Sequence, residues 1–281
     1  MQNKILILIV IIIQVYAFDK ENVRDTLKIG VVEENEPFYI SSSDGFETEI
    51  GINLAKYLNM AYSFVTIDEF EDRVSYILKG DVDIIISTFT ITKDRLKLLD
   101  FSIPYYYTKP AILVRSNSDI NSIADISEKV CTVVKGTVSE KTANVFLPNS
   151  KVLSKKNRNL CLMLLDLGIA EAYIEDCAII ESLSNFKTDK YKIIKIDNIE
   201  YQYGIAIKQN SNGLLDKIND FIYQASFSPD SLGNSELVKL CKKYDLSPSV
   251  NEVTSSLSRI EIESKIKELK SDIDFLNKML K

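Results

Sequence analysis

DIIISTFTITKDRLKLLDFSIPY, residues 83–105, is the stretch from which the rest of the chain is read. Ile84, Ile85 and Ile86 form a short β-branched apolar run, which predicts a buried strand. The run opens into Ser87, Thr88, Thr90 and Thr92, then a polar turn of helix carrying Arg95, then Asp100-Phe101-Ser102 and Pro104. Hydroxyls and an arginine at a strand end make an anion clamp. The planar guanidinium pairs both oxygens of a carboxylate, and Thr90 adds a hydroxyl and a backbone N–H. Spacing alone favours a plainer account, an arginine paired with a nearby surface aspartate.

The residues themselves carry a resemblance. Thr90-Ile91-Thr92, Lys93-Asp94, Arg95, Asp100-Phe101-Ser102 and Pro104-Tyr105 reproduce T-I-T, two polar residues, Arg, then D-F-S and P-Y. This resembles the signature of family 3 extracellular solute-binding proteins, the amino-acid-binding proteins of ABC transporters. The resemblance implies an α/β fold of two lobes, the type II periplasmic-binding-protein fold shared with ionotropic glutamate receptor ligand-binding domains. It implies that Arg95 and Thr90 bind the ligand α-carboxylate, and that the backbone carbonyl of Thr88 receives the α-ammonium.

The same resemblance extends along the chain. Pro37-Phe38 and Gly45-Phe46-Glu47-Thr48-Glu49 stand where the family has P-F and G-F-D-x-D, with Glu replacing both Asp. It implies that Glu34 and Asn35 approach the ligand side chain, that Phe70 stacks on the ligand, and that Glu47 and Glu49 hold their loop to a helix N-terminus. Gly136-Thr137-Val138 implies a second carboxylate contact through Thr137 and the Val138 N–H, since a glycine turn opening a helix presents free donors. Ile169-Ala-Glu-Ala-Tyr-Ile-Glu-Asp176 implies that Asp176 binds the ammonium and that Glu175 falls where selectivity is set. A helix N-cap is the plainer role for Asp176, an exposed acidic loop the plainer one for Glu34 and Asn35, and a core position the plainer one for Phe70.

Working outward, the chain reads strand, helix, strand in repetition, which argues α/β with a largely parallel sheet. Strands are expected at Leu27–Val32, Tyr62–Ile67, Ala111–Arg115, Val130–Val134 and Lys192–Ile196. Helices are expected over about 51–58, 70–79, 159–168, 177–183, 214–223 and 236–244, with helix-like spacing of Ile120, Ile123 and Ile126. Gly80 ends the second of these as a C′ glycine does. Crossings near Tyr105–Thr108 and Tyr203–Ala206 divide the chain into lobe one (26–107 and 206–248) and lobe two (108–205), joined by a two-strand hinge.

Residues 1–17, MQNKILILIVIIIQVYA, read as a secretory signal peptide: one Lys, a short apolar run and a V-x-A cleavage site. The mature protein is then expected to be periplasmic or secreted. The formal net charge is −6; losing Lys4 with the signal makes it −7, and no basic patch is evident. Nucleic acid and anionic membranes are poor partners for such a chain. With no His, histidine-dependent catalysis is excluded, and zinc could use only Cys and carboxylates. No cofactor is expected. Cys131, Cys161, Cys177 and Cys241 lack CxxC spacing and sit in apolar runs, so free buried thiols are favoured over disulfides.

Beyond Pro248, residues 249–258 read as a polar linker. Ser258 and Glu261 form an S-x-x-E capping box. Ile262, Ile266, Leu269, Ile273, Leu276 and Leu280 then form a heptad seam, which predicts a helix over 259–281 that either pairs as a homodimeric coiled coil or folds back on its own lobe. The function implied is binding of a free amino acid by lobe closure and delivery to an ABC transporter membrane permease. Glu34, Asn35 and Glu175 point to a polar or cationic amino acid. A ligand-sensing receptor module and a periplasmic dehydratase-like enzyme are the alternatives on this fold.

Overall fold

The computed structural model describes residues 26–185, 189–197, 199–228 and 234–247. The expected signal peptide, linker and terminal heptad helix lie outside the described residues. The first half runs β1 (Thr26–Val32), α1 (Phe46–Tyr57), β2 (Ala61–Ile67), α2 (Arg73–Lys79), β3 (Ile84–Ile85), α3 (Lys93–Leu96), β4 (Leu99–Phe101), β5 (Tyr106–Thr108), β6 (Pro110–Arg115) and β7 (Val130–Val134). The second half runs α4 (Val138–Phe146), β8 (Lys151–Lys155), α5 (Arg158–Asp166), β9 (Ala172–Asp176), α6 (Cys177–Asn185), β10 (Tyr191–Lys195), β11 (Tyr201–Tyr203), β12 (Ala206–Lys208), α7 (Asn212–Phe227) and α8 (Glu236–Lys243).

These strands form two five-stranded sheets, ordered β2-β1-β3-β12-β4 and β10-β6-β9-β7-β8. Pairing is parallel for β1 with β2 and β3 and for β7 with β8 and β9, but β6 is antiparallel to β9 and β10, so both sheets are mixed and not largely parallel as expected. The returning strand β12 is antiparallel to β3 and β4. Ile84, Ile85 and Ile86 are wholly buried. A strand covered on both faces has no polar face to show, so the run reads as continuous rather than alternating.

The sheets are joined by β5 and β11, an antiparallel pair with Tyr106 opposite Tyr203. Phe38, Phe46, Tyr106 and Tyr203 pack around this crossing with ring centroids 5.3 to 5.7 Å apart. Most meet edge to face, the arrangement that the ring quadrupoles favour. The crossing is therefore anchored in the first lobe's core, which α7 and α8 complete against α1.

Several expectations change. Helix α1 begins at Phe46, five residues before the expected start, because the G-F-E-T-E motif is itself the first helical turn. The isoleucines at 120, 123 and 126 do not build a helix: only a 3-10 turn, Ile123–Ile126, forms, and Ile120 and Ile126 plug the second lobe's core from an irregular segment. Strand β8, KVLSK, was not anticipated; its short apolar centre is half-buried at the sheet edge. All four cysteines are buried, and none of them is in a disulfide. Gly80 has the left-handed conformation expected of a helix stop.

Candidate functional site

The ends of β3 and β9 and the N-terminus of α4 face a cleft between the lobes, about 230 Å³ counted out to its mouth. Its lining is Phe70, Arg73, Thr88, Thr90 and Arg95 from the first lobe, and Thr137, Val138, Arg158, Glu175 and Asp176 from the second. Eight of the ten expected site residues therefore meet in one place. Glu34 and Asn35 do not line it. A left-handed backbone, φ 56°, turns the Glu34 side chain into solvent, and Asn35 is buried behind the cleft.

Arg95 is positioned by the first turn of α3, where the Thr92 hydroxyl accepts from its backbone N–H at 3.3 Å. Its guanidinium donates to the Thr90 carbonyl (2.6 Å) and, across the cleft, to the Gly136 carbonyl (3.1 Å), and lies over the Phe89 ring. Burial lowers its pKa to about 10, so it stays charged at neutral pH. Opposite, Asp176 ends β9. It accepts from the Ser139 hydroxyl at 3.3 Å and from the Tyr203 hydroxyl. Burial, reinforced by the neighbouring Glu175 charge, pushes its carboxyl up to about 7.

Thr137 caps α4: its hydroxyl accepts from the Glu140 N–H (3.3 Å) and donates to the Val134 carbonyl (2.7 Å). That leaves the N–H groups of the first helical turn, Val138 among them, as donors facing the cleft. Thr88 sits in the left-handed region, φ 47°, and its N–H donates to Glu47 at 2.5 Å. Phe70 is buried, with the Arg158 guanidinium 4.8 Å from its ring centroid.

Sequence reasoning missed four residues here. Glu47 does not hold its own loop as expected; it is fully buried and accepts from Thr88 and the Tyr105 hydroxyl, and burial pushes its carboxyl up to about 7. Glu49 instead reaches Lys243 and Tyr244 on the C-terminal side of the lobe. Arg73 donates to the carbonyls of Phe70 (2.8 Å), Ser87 (2.9 Å) and Gly136 (3.5 Å). The signal for it was an arginine on the same helix face as Ile77. Arg158 crosses from lobe two to the Glu34 carbonyl (3.2 Å) and the Asn35 side chain. The polar run SKKNRN hid it. Tyr203 was expected only as a hinge residue, yet its hydroxyl holds Asp176. Among the described residues, no group of three or more Cys, Asp or Glu side chains is placed to hold a metal ion.

The cleft, flanked by two sheets and a two-strand crossing, agrees with what comparison finds. The profile of bacterial extracellular solute-binding proteins, family 3, matches residues 27–230. The chain belongs to that family. Among family 3 relatives, the glutamine-binding protein GlnH of an ABC transporter in Bacillus subtilis is 27% identical over 204 residues, covering 70% of this chain and 74% of GlnH. A mutant of ArgBP from T. maritima superposes with a TM-score of 0.72 at 25% identity, covering 82% of this chain and 99% of that one. The ancestral amino acid-binding protein AncCDT-1, a precursor of cyclohexadienyl dehydratase, superposes with a TM-score of 0.70 at 28% identity, covering 78% and 95%. This chain therefore has the two-lobe fold of family 3 solute-binding proteins.

Proposed function

We propose that this protein binds a free amino acid between its lobes and delivers it to an ABC transporter permease, outside the cytoplasm. One observation carries the reading: a half-buried cation on one lobe, Arg95, and a buried carboxylate on the other, Asp176, line the same cleft. A zwitterion presents an anion and a cation two bonds apart, so it satisfies both groups only when the lobes are together. Lobe one is residues 26–107 and 206–248, and lobe two 108–205. Arg95 and Thr90 take the α-carboxylate with the Val138 N–H and the α4 turn set by Thr137. Asp176 and the Thr88 carbonyl take the ammonium, and Phe70 covers the aliphatic part. Asn35 and Glu175 act on the ligand through Arg158, which both of them hold. The side chain taken is polar. Names of relatives support the class, since GlnH and AncCDT-1 are amino-acid-binding proteins.

A thermal-shift screen against the common amino acids tests this reading. A ligand that binds only the folded state raises the melting temperature, so at least one amino acid should do so, and no shift with any of them refutes it. On this reading the protein is not an enzyme. AncCDT-1 names the rival, a dehydratase with Glu175 as acid. Against it, both Glu175 oxygens already accept hydrogen bonds, from Tyr173 and from the Asp176 N–H. Turnover of prephenate or arogenate would establish the rival. We also propose that residues 1–17 direct export and that residues 259–281 pair two copies of the chain, supported by the unbroken heptad seam.

A further inference from the structure

We propose that the cleft takes an amino acid with a short polar side chain, of serine or threonine size, because the protein's own Arg158 fills the space that a longer side chain would enter. This rests on the amino-acid-binding reading above and narrows it. Glu34, Asn35, Phe70 and Glu175 are the residues from which contacts to a ligand side chain are expected. Folding gives all four to Arg158. Its guanidinium lies 4.8 Å from the Phe70 ring centroid and donates to the Glu34 carbonyl (3.2 Å) and the Asn35 side-chain oxygen. Its Nε is 3.5 Å from the Glu175 carboxylate. Together these groups form a seat for a guanidinium, and the chain itself occupies it.

The seat is held from both lobes. Arg158 opens α5, where the Asn157 side chain caps the helix by accepting from the Leu160 N–H at 3.1 Å. Asn35 is wholly buried, and its amide nitrogen donates to the Thr88 hydroxyl (3.4 Å) and to Glu47 (3.5 Å), which leaves its oxygen for Arg158. Glu175 accepts from the Tyr173 hydroxyl and from the Asp176 N–H, both at 3.0 Å. Arg158 is only 5% exposed. A longer ligand side chain would have to expel it and leave Glu175 buried without its cation. Breaking a buried pair in that way is strongly unfavourable.

The space left over agrees. The cleft holds about 230 Å³ even when counted out to its mouth, below the roughly 300–1,000 Å³ of ordinary small-molecule sites. The Arg73 guanidinium also lies 5.0 Å from the Phe70 centroid, so a ligand meets that ring only beside two arginines. Thr88, buried and β-branched, narrows the wall on lobe one. Its hydroxyl accepts from Asn35 and keeps a proton to donate to a ligand hydroxyl. A site built around such a donor rejects a side chain that lacks the acceptor.

Calorimetric titration of the purified protein at pH 7.5 with each of the common amino acids tests this. Serine or threonine should bind at least roughly tenfold more tightly than alanine and than any amino acid with a larger side chain, since overfilling a packed site is costly. Arg158→Ala empties the seat beside Glu175 and Phe70. Arginine, whose guanidinium can take that seat, should then bind at least roughly tenfold more tightly than it does to the unmodified protein. If Arg158→Ala does not fold, the ranking by the unmodified protein still decides. Any other amino acid that binds as tightly as serine and threonine overturns this proposal and leaves amino-acid binding intact. An arginine affinity that Arg158→Ala leaves unchanged overturns it as well. If no amino acid binds at all, both readings fall.

Discussion

Thr88 is a buried β-branched residue at φ 47°, a conformation such side chains avoid. Strain of this kind costs roughly 1–3 kcal/mol and persists only where the surroundings hold it. Here the Glu47 carboxylate accepts from the Thr88 N–H and so turns the strand end toward the cleft. Arg95 does the opposite kind of work, presenting a charge rather than a shape. Arg95→Ala should leave the circular dichroism spectrum unchanged and weaken ligand binding by roughly 2–5 kcal/mol, as loss of one partner from a buried charge pair does. Near-normal affinity by calorimetry would remove Arg95 from the site. Asp176 and Glu47 both titrate near 7 in the folded protein, above their usual carboxylate values. Between the unfolded and folded values the native state holds more protons, so these two groups stabilise the unliganded fold fully below about pH 4. That contribution is lost as pH rises toward about 7. Melting of the unliganded protein should therefore lose this contribution across that window, and Glu47→Gln should flatten the profile. Ligand affinity should move the other way. Pairing with an ammonium requires ionised Asp176, so binding should weaken as pH falls below about 7, with proton release measurable by calorimetry in two buffers. A flat affinity from pH 5 to 8 would contradict that role for Asp176.

The turn between β7 and α4 brings the two lobes close together. Gly136 has φ +76°, and a Cβ there would lie 2.6 Å from both the Cα and N of Glu71 in the other lobe. Backbone cannot give way as a flexible side chain would. Gly136→Ala should therefore keep the lobe folded, at a left-handed strain of roughly 1–2 kcal/mol, yet hold the lobes apart. Small-angle scattering with saturating ligand should show no compaction for this variant, and affinity should drop sharply. Unchanged compaction would mean that the turn can shift without loss. The same turn explains why Thr137 matters beyond any ligand contact: by capping α4 it fixes the direction of the helix's free N–H groups.

Across the two lobes, contacts converge on the cleft and thin out at its rim. At the rim, Lys135–Glu71 (2.9 Å) and Lys141–Asp94 (3.1 Å) join the lobes, but all four side chains are well exposed. Such pairs contribute about 0–1 kcal/mol and weaken with salt. The buried bridge from Arg158 to the Asn35 side chain is the stronger tie, and Tyr203 in the crossing strand holds Asp176. Ligand that touches both lobes should thus shift an open–closed equilibrium. Scattering of the unmodified protein should show a smaller radius of gyration with ligand, and Lys141→Ala should change affinity by less than about fivefold. For association through residues 259–281, sedimentation equilibrium of the intact chain at micromolar concentration should report a dimer. Truncation after Pro248 should give a monomer that still binds ligand. A monomeric intact chain would mean that those residues do not self-associate.

The buried strand of three isoleucines and the strand–helix rhythm could be read from the chain because each is local: periodicity and a glycine stop. The Arg95 and Asp176 motifs and the two crossings came from the family resemblance, since the spacing of Arg95 alone pointed to a surface ion pair. The start of α1 was misjudged for a local reason too, since Gly45 hid the helical turn that follows it. What the linear chain could not show is which charges meet. Arg73 and Arg158 are 85 positions apart and look like a helix residue and a member of a lysine-rich run, yet folding brings both to one cleft. Glu34 and Asn35 were adjacent candidates, but one backbone turn sends the first to solvent and the second to Arg158. Charge partners are set by distances through space and by loss of water around them. Sequence spacing encodes neither, and only the packed lobes fix both.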